Sequence, residues 1–301
     1  MENEERLFIS VLGGAGQEFG LAIYIGNEGL NSLRLAMEQK TPLQDIVFQQ
    51  RSILMSFVDR DELESEDYMF LKAHGIPFRG KKQWPEFRSM VPGSYPWSID
   101  EEEARYIIMA IEQTLSVLGM VERGTEIPAF GLDNQILIRA AKKTAQGHVW
   151  ETEMMPKETF FQEKTLPLEI PQIVPDLVVK QASKHPIMDS QIEFDLFYVD
   201  MPIQPSAGAR PYFPYMAVAL DHKTGMVLNQ ELFENRNAFE NAQFGLNELV
   251  NRISMLPKEL WLREEMFQML KAILTKLKVK AKKVENLPEA ERFKEFLSQI
   301  H

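Results

Sequence analysis

Apolar and polar residues alternate in RLFISVLGG (Arg6–Gly14) and again in LAIYIG (Leu21–Gly26), the period of half-buried strands. Between them Gly14, Gly16 and Gly20 make a hairpin connection in which glycine supplies positive φ. The spacing is not G-x-G-x-x-G, and the segment that follows is a strand. A phosphate loop would instead open a helix. Helical spacing then predicts a helix over Glu28–Gln39, with Leu30, Leu33 and Met37 near one face. A strand is predicted over Arg51–Val58 and a helix over Glu62–Ala73, stopped at His74-Gly75. The segment from Trp84 to Trp97 is dense in proline and aromatics and reads as a rigid loop. Ser98 and Glu101 have the spacing of a capping box. The helix behind them carries Ala104, Ile107, Ile108, Ile111, Leu115 and Leu118 as one apolar stripe, expected to face the core. QILIRAAKK and GHVWETEM form a hairpin about Ala145–Gly147.

From Met155 to Pro175 prolines cluster without periodicity, which marks a linker. The domains are therefore placed at 1–155 and 171–301, with 156–170 between them. The second half opens with a short helix over Asp176–Lys184. Three strands follow within Ile192–Phe233, the last two joined by the turn Asp221-His222-Lys223-Thr224-Gly225. Asn237-x-x-Glu240 caps a helix presenting Phe239, Ala242, Leu246, Leu249 and Ile253. A strand over Lys258–Arg263, a helix over Glu264–Leu277 and a strand over Leu277–Val284 come next. A last helix starts at Pro288 and presents Phe293, Phe296, Leu297 and Ile300. The fold class is α/β: an α+β first domain, then a mixed-sheet domain of order β-β-β-α-β-α-β-α.

Composition narrows this further. The apolar fraction of 45% is that of a globular chain, and no apolar run approaches the ~18 residues of a membrane helix. The acidic start MENEERLFIS is not a signal peptide. Cysteine is absent, which removes disulfides, thiolate metal sites and cysteine catalysis and fits a cytoplasmic location. Net charge is −11, nearly all of it before Ile170. An acidic body repels nucleic acid, so the expected partner is a protein or a small molecule, with no membrane. Any nucleic-acid contact would need a local basic patch in the second half. Lys276, Lys278, Lys280 and Lys282 alternate there on one strand face, as a phosphate stripe or as an edge-strand defence.

Candidate chemistry is acidic. Asp195, Asp200 and Asp221 lie in or beside the three central strands, and Glu264 and Glu265 begin a later helix. Each also has a structural account: turn geometry at Asp221, and the helix dipole at Glu264 and Glu265. His74, His148, His185, His222 and His301 lack zinc spacing, and no G-x-S-x-G occurs. Trp84, Phe87, Arg88, Tyr95 and Trp97 are the candidate binding surface, since aromatics and arginine dominate contact energetics.

The element order of the last hundred residues resembles the ribonuclease H-like fold. That resemblance implies carboxylates on the first strand, near the fourth strand and on a helix, holding two Mg²⁺ or Mn²⁺ ions for phosphoryl transfer. Asp195 or Asp200 would fill the first position and Glu291 or Glu295 the helix position. The fourth-strand end reads Arg263-Glu264-Glu265, where active members usually have Asp. Over nearly the whole chain, ISVLGGAGQEFGLAIYIGNEGL, WPEFRSMVPGSYPWSIDEEEA, IEFDLFYVDMPI, RPYFPYMAVALDHKTGMVLNQELF and LKVKAKKVENLP resemble a tandem pair of bacterial domains of unknown function. The resemblance implies a bacterial, cytoplasmic protein and brings no activity with it. The expectation is a non-catalytic interaction protein without a cofactor. The alternative is a metal-dependent nuclease or polynucleotidyl transferase using the carboxylates above.

Overall fold

The computed structural model describes residues 5–14, 16, 18–38, 46–128, 133–144, 147–160, 171–234 and 237–299. The chain forms two compact units, Met1–Pro92 with Pro96–Lys164, and Gly93–Tyr95 with Thr165–His301.

In the first unit, β1 (Leu7–Leu12), β2 (Gly20–Ile25), β3 (Ser52–Val58) and β4 (Trp84–Met90) form an antiparallel sheet in sequence order. Helices α1 (Gly26–Glu38), α2 (Ser65–Ala73) and α3 (Glu101–Glu122) connect and cover it. Alternation places Leu21, Ile23 and Ile25 of β2 beside Ile53 and Met55 of β3, and Ile107 and Ala110 of α3 close that cluster. Gly20 is forced by close approach, because a Cβ there would lie 1.9 Å from the Met55 carbonyl oxygen on β3. Gly16 in the β1–β2 connection has φ +73°; Ala15 and Gln17 lie outside the described residues. A separate antiparallel pair, β5 (Gln135–Thr144) and β6 (Gly147–Pro156), completes the unit. The chain stays ordered past β6 in a 3-10 turn at Lys157–Thr159. Residues 161–170 of the expected linker, Gln39 of the expected α1, and Ala145 and Gln146 of the hairpin turn lie outside the described residues.

Three expectations are corrected here. Trp84–Met90 is strand β4 rather than loop; its Pro85 is tolerated because β4 is the sheet's edge. The capping box uses Asp100 and Glu103, not Ser98 and Glu101. Asp100 Oδ1 accepts from Glu103 N at 2.8 Å. Glu103 Oε2 accepts from Asp100 N at 3.3 Å. The α3 stripe does not face the core as a whole: Ile107 is buried, whereas Ile108, Leu115 and Leu118 are exposed. Buried Glu103 decides which arc turns inward, because its Oε1 accepts from Ser89 Oγ at 2.6 Å and from Arg51 Nη1 at 3.2 Å.

In the second unit, α4 (Asp176–Ala182) precedes β7 (Ile187–Tyr198), β8 (Tyr215–Asp221) and β9 (Val227–Phe233). Then come α5 (Ala238–Ile253), β10 (Leu256–Leu262), α6 (Glu264–Leu277), β11 (Lys280–Lys283) and α7 (Pro288–Ser298). The sheet order is β11-β10-β7-β8-β9, with β8 and β9 antiparallel to their neighbours and β10 and β11 parallel to β7. This is an α/β fold with a mixed sheet. Ile192 and Phe194 of β7 join Leu246, Leu249, Leu270 and Ile273 of α5 and α6 on one face. Val218 and Leu220 of β8 meet Ala290 of α7 and Leu287, which precedes it, on the other.

The four alternating lysines do not share a strand. Lys276 belongs to α6 and Lys278 ends it in the left-handed conformation, so only Lys280 and Lys282 lie on edge strand β11. In α7, Phe293 packs inward but Phe296 is 59% exposed, contrary to expectation; Ile300 lies outside the described residues.

Candidate functional site

Strand β7 reads Ile192-Glu193-Phe194-Asp195. Its pleat sends Ile192 and Phe194 into the α5–α6 core and puts Glu193 and Asp195 on the α7 face. Both carboxylates are buried, and each has been given partners in place of water.

Asp195 Oδ2 receives Arg263 Nη1 and Lys294 Nζ, both at 2.7 Å. Arg263 follows the end of β10, and Lys294 stands on α7 two turns in. The guanidinium's other arm reaches Glu291 Oε1 at 2.9 Å, and the Lys294 ammonium sits 4.5 Å from the Phe197 ring centroid. Two carboxylates and two cations thus make a neutral group. Burial works against the Arg263 charge, but Asp195 and Glu291 outweigh it and hold the guanidinium above its ordinary pKa.

Glu193, fully buried, fastens the start of α7. Its Oε2 accepts from Glu289 N at 2.9 Å and Ala290 N at 3.0 Å, the first free amides behind Pro288. A carboxylate there also opposes the positive end of the helix dipole. Its Oε1 lies 2.6 Å from His222 Nδ1, which donates in the tautomer that carries its hydrogen there. The His222 ring lies against Trp261 at 3.8 Å, and Lys282 Nζ is 3.6 Å from the Trp261 ring centroid.

None of the other candidate carboxylates is shown paired with Asp195, Arg263, Lys294, Glu193 or His222. Asp200 is exposed just after β7. Asp221 organises the β8–β9 turn, accepting from Ser190 Oγ and from the Thr224 N and Oγ1 at 2.9 Å. The Ser190 hydroxyl, then the Thr224 groups, hold its carboxyl below the usual range. Glu264 is exposed and takes Gln268 and Lys283; these lower its pKa. Glu265 is exposed on the same turn. Among the described residues, no group of three or more His, Asp or Glu is arranged to hold a metal ion. Asp195, the one buried aspartate of the candidates, is already paired with two side-chain cations, so a donor set for the Mg²⁺ or Mn²⁺ pair of the alternative reading is not assembled among the described residues.

Residues 1–139 match the family model DUF7309, a domain of unknown function. Residues 178–298 match DUF6930, also a domain of unknown function. The chain is a tandem of two such domains. No curated protein matches it.

In the DUF7309 region, the aromatic candidates are partly built into the fold. Phe87 packs against the sheet cluster. Arg88 is held by Asp67 at 2.6 Å, Glu86 at 2.9 Å and Glu64 at 3.2 Å. Trp97 pairs its backbone with Ser89. Trp84 is half-buried, 6.1 Å from both Tyr68 and Phe78, and the Arg60 guanidinium lies 3.5 Å from the Tyr68 centroid and 5.6 Å from that of Trp84. Tyr95 groups instead with the second unit, where its N donates to Pro211 O at 3.0 Å and its ring is 43% exposed. The residues the sequence reading missed are Glu193 and His222 as a pair, and Arg263 and Lys294 as cations closing on Asp195. The available signal was two carboxylates two positions apart in an otherwise apolar strand.

Proposed function

We propose that the protein is a non-catalytic interaction protein whose second unit keeps a ribonuclease H-like strand order with its acidic position closed by cations. The order β11-β10-β7-β8-β9 supports the comparison, since it puts the first strand of the unit at the centre of the sheet with Asp195 on it. The observation that carries the proposal is the double occupancy of Asp195 Oδ2 by Arg263 and Lys294. In a two-metal enzyme those positions belong to divalent ions and to a further carboxylate. Here a guanidinium stands at the end of the fourth strand, where a ligand would be needed. The half-buried Tyr68 and Trp84 rings under Arg60, with Phe78 beside Trp84, are the contact surface assigned to the first unit. The cysteine-free composition supports a cytoplasmic setting.

The test is a cleavage assay with Mg²⁺ and Mn²⁺ on single-stranded, double-stranded and hybrid substrates, run beside Asp195→Asn. Equal background for both chains is expected. Metal-dependent cleavage by the natural chain that Asp195→Asn abolishes would overturn the proposal in favour of the nuclease.

A further inference from the structure

His222 stands in the β8–β9 turn with one ring nitrogen committed and the other free. Its Nδ1 lies 2.6 Å from Oε1 of Glu193, which is fully buried. The other oxygen of that carboxylate holds Glu289 N and Ala290 N, so the group is fixed in place. A carboxylate only accepts, which puts the ring hydrogen on Nδ1 and the lone pair on Nε2. The ring lies against Trp261 at 3.8 Å between centroids, which holds its plane. Nε2 has no hydrogen-bond partner among the described residues and is not closed off from solvent. Among those residues no other histidine bonds a carboxylate; His74 Nδ1 meets the Phe70 carbonyl oxygen instead.

Such a ring suits two uses, as a metal ligand or as a nucleophile. The first needs companions, and no group of three or more His, Asp or Glu among the described residues is arranged to supply them. The second needs an electrophile, and the charges around Trp261 favour an anionic one. Lys282 Nζ lies 3.6 Å from the centroid of the Trp261 ring that His222 also touches, and it pairs with no carboxylate among the described residues. The carboxylates of this region are already engaged. Lys280 and Trp261 Nε1 take Glu259, Arg292 takes Glu289, and Ser190 and Thr224 take Asp221. We propose that His222 Nε2 accepts a phosphoryl group from a small acyl phosphate. The lone pair attacks phosphorus, the bond from phosphorus to the acyl oxygen breaks, and the carboxylate leaves with its electron pair. No proton has to move, because Nδ1 keeps its hydrogen. The ring becomes cationic, and buried Glu193 faces the new charge, as a positioning residue. Lys282 offers the phosphoryl oxygens a counter-charge. Nothing in this chemistry depends on the contact surface of the first unit.

The full chain incubated with acetyl phosphate should gain one phosphoryl group by intact mass, stable in alkali and lost in acid. Peptide fragmentation of the natural chain should place it on His222, and phosphorus NMR should show the Nε2 isomer alone. His222→Gln should abolish loading with unchanged far-ultraviolet circular dichroism. Glu193→Gln keeps the nucleophile but should slow loading by about 10–100-fold and let the group appear on both ring nitrogens. Lys282→Met, which leaves the start of α7 untouched, should also slow it. No phosphoryl group, an acetyl group on lysine alone, or a phosphoryl group on another histidine would overturn the proposal. So would the Nδ1 isomer in the natural chain, or loading of Glu193→Gln at the natural rate.

Discussion

Lys294 Nζ approaches Asp195 Oδ2 to 2.7 Å, on the same oxygen that Arg263 holds from the opposite element. Strand β10 and helix α7 are thereby tied to the central strand through one atom. The Asp195 side chain is 6% exposed, and the two cations 33% and 31%.

Removing the shared carboxylate leaves the two cations facing each other with only Glu291, on Arg263, to offset them. Asp195→Asn should destabilise the chain by about 1–3 kcal/mol, below the figure for a fully buried pair because both cations reach solvent. Lys294→Met in the Asp195→Asn background should cost less than in the natural chain, or stabilise. Urea unfolding of the four chains of that double-mutant cycle gives the coupling, and additivity would show that the contact contributes nothing.

Glu193 holds α7 rather than β10. Glu193→Gln keeps the shape but replaces one acceptor oxygen by an NH₂ group and removes the charge facing two helix amides and His222. A loss of about 1–2 kcal/mol is expected. Hydrogen exchange should quicken at Glu289 and Ala290 before it does in β7. Uniform quickening across the unit would contradict a local role in starting the helix.

The central strands were legible in the sequence because alternation and a turn signal agree over Ile192–Phe233. β4 was hidden by Pro85, which is acceptable only because the strand lies at an edge, and edge status is a property of the assembled sheet. The α3 stripe had the right residues but the wrong face. Helical spacing marks two apolar arcs there, and the choice between them rests on a buried glutamate meeting Ser89 and Arg51 from other elements. At the candidate site, Asp195 was legible as a type and position. Its neutralisation was not, because Arg263 lies 68 residues further along the chain and only the parallel pairing of β10 with β7 brings them together.

The turn at Asp221 supplies a pH dependence with a fixed sign. Ser190 Oγ and the Thr224 groups depress its carboxyl pKa, so their stabilisation is complete above the ordinary carboxylate value of ~3.9 and is lost as pH falls through the lower folded value. Ser190→Ala should therefore be less stable than the natural chain near neutral pH, by no more than about 0.5 kcal/mol at so solvated a site. The gap should close below the ordinary carboxylate pKa. A gap that persists to the acid limit would assign the loss to the Ser190 hydroxyl itself and not to the Asp221 charge.

Gly245 separates helix propensity from packing. In a helix interior, alanine is normally better than glycine by about 1 kcal/mol, and Gly245 lies inside α5. A Cβ at this position would come within 2.5 Å of the Ala217 Cβ on β8 and 3.4 Å of Phe194. Neither can yield easily: the Ala217 methyl is fixed by the strand backbone, and Phe194 is among the largest fully buried side chains. α5 would have to move off the sheet, loosening the cluster built on Ile192, Phe194, Leu246 and Leu249. Gly245→Ala should therefore destabilise by about 1–3 kcal/mol despite its better propensity. Gly119→Ala in α3, where the nearest atom to a new Cβ is the flexible end of Arg123 at 3.4 Å, should be neutral or stabilising. The urea midpoint should fall for Gly245→Ala and hold or rise for Gly119→Ala, and a stabilised Gly245→Ala chain would mean that α5 does not approach β8 as closely as these contacts require.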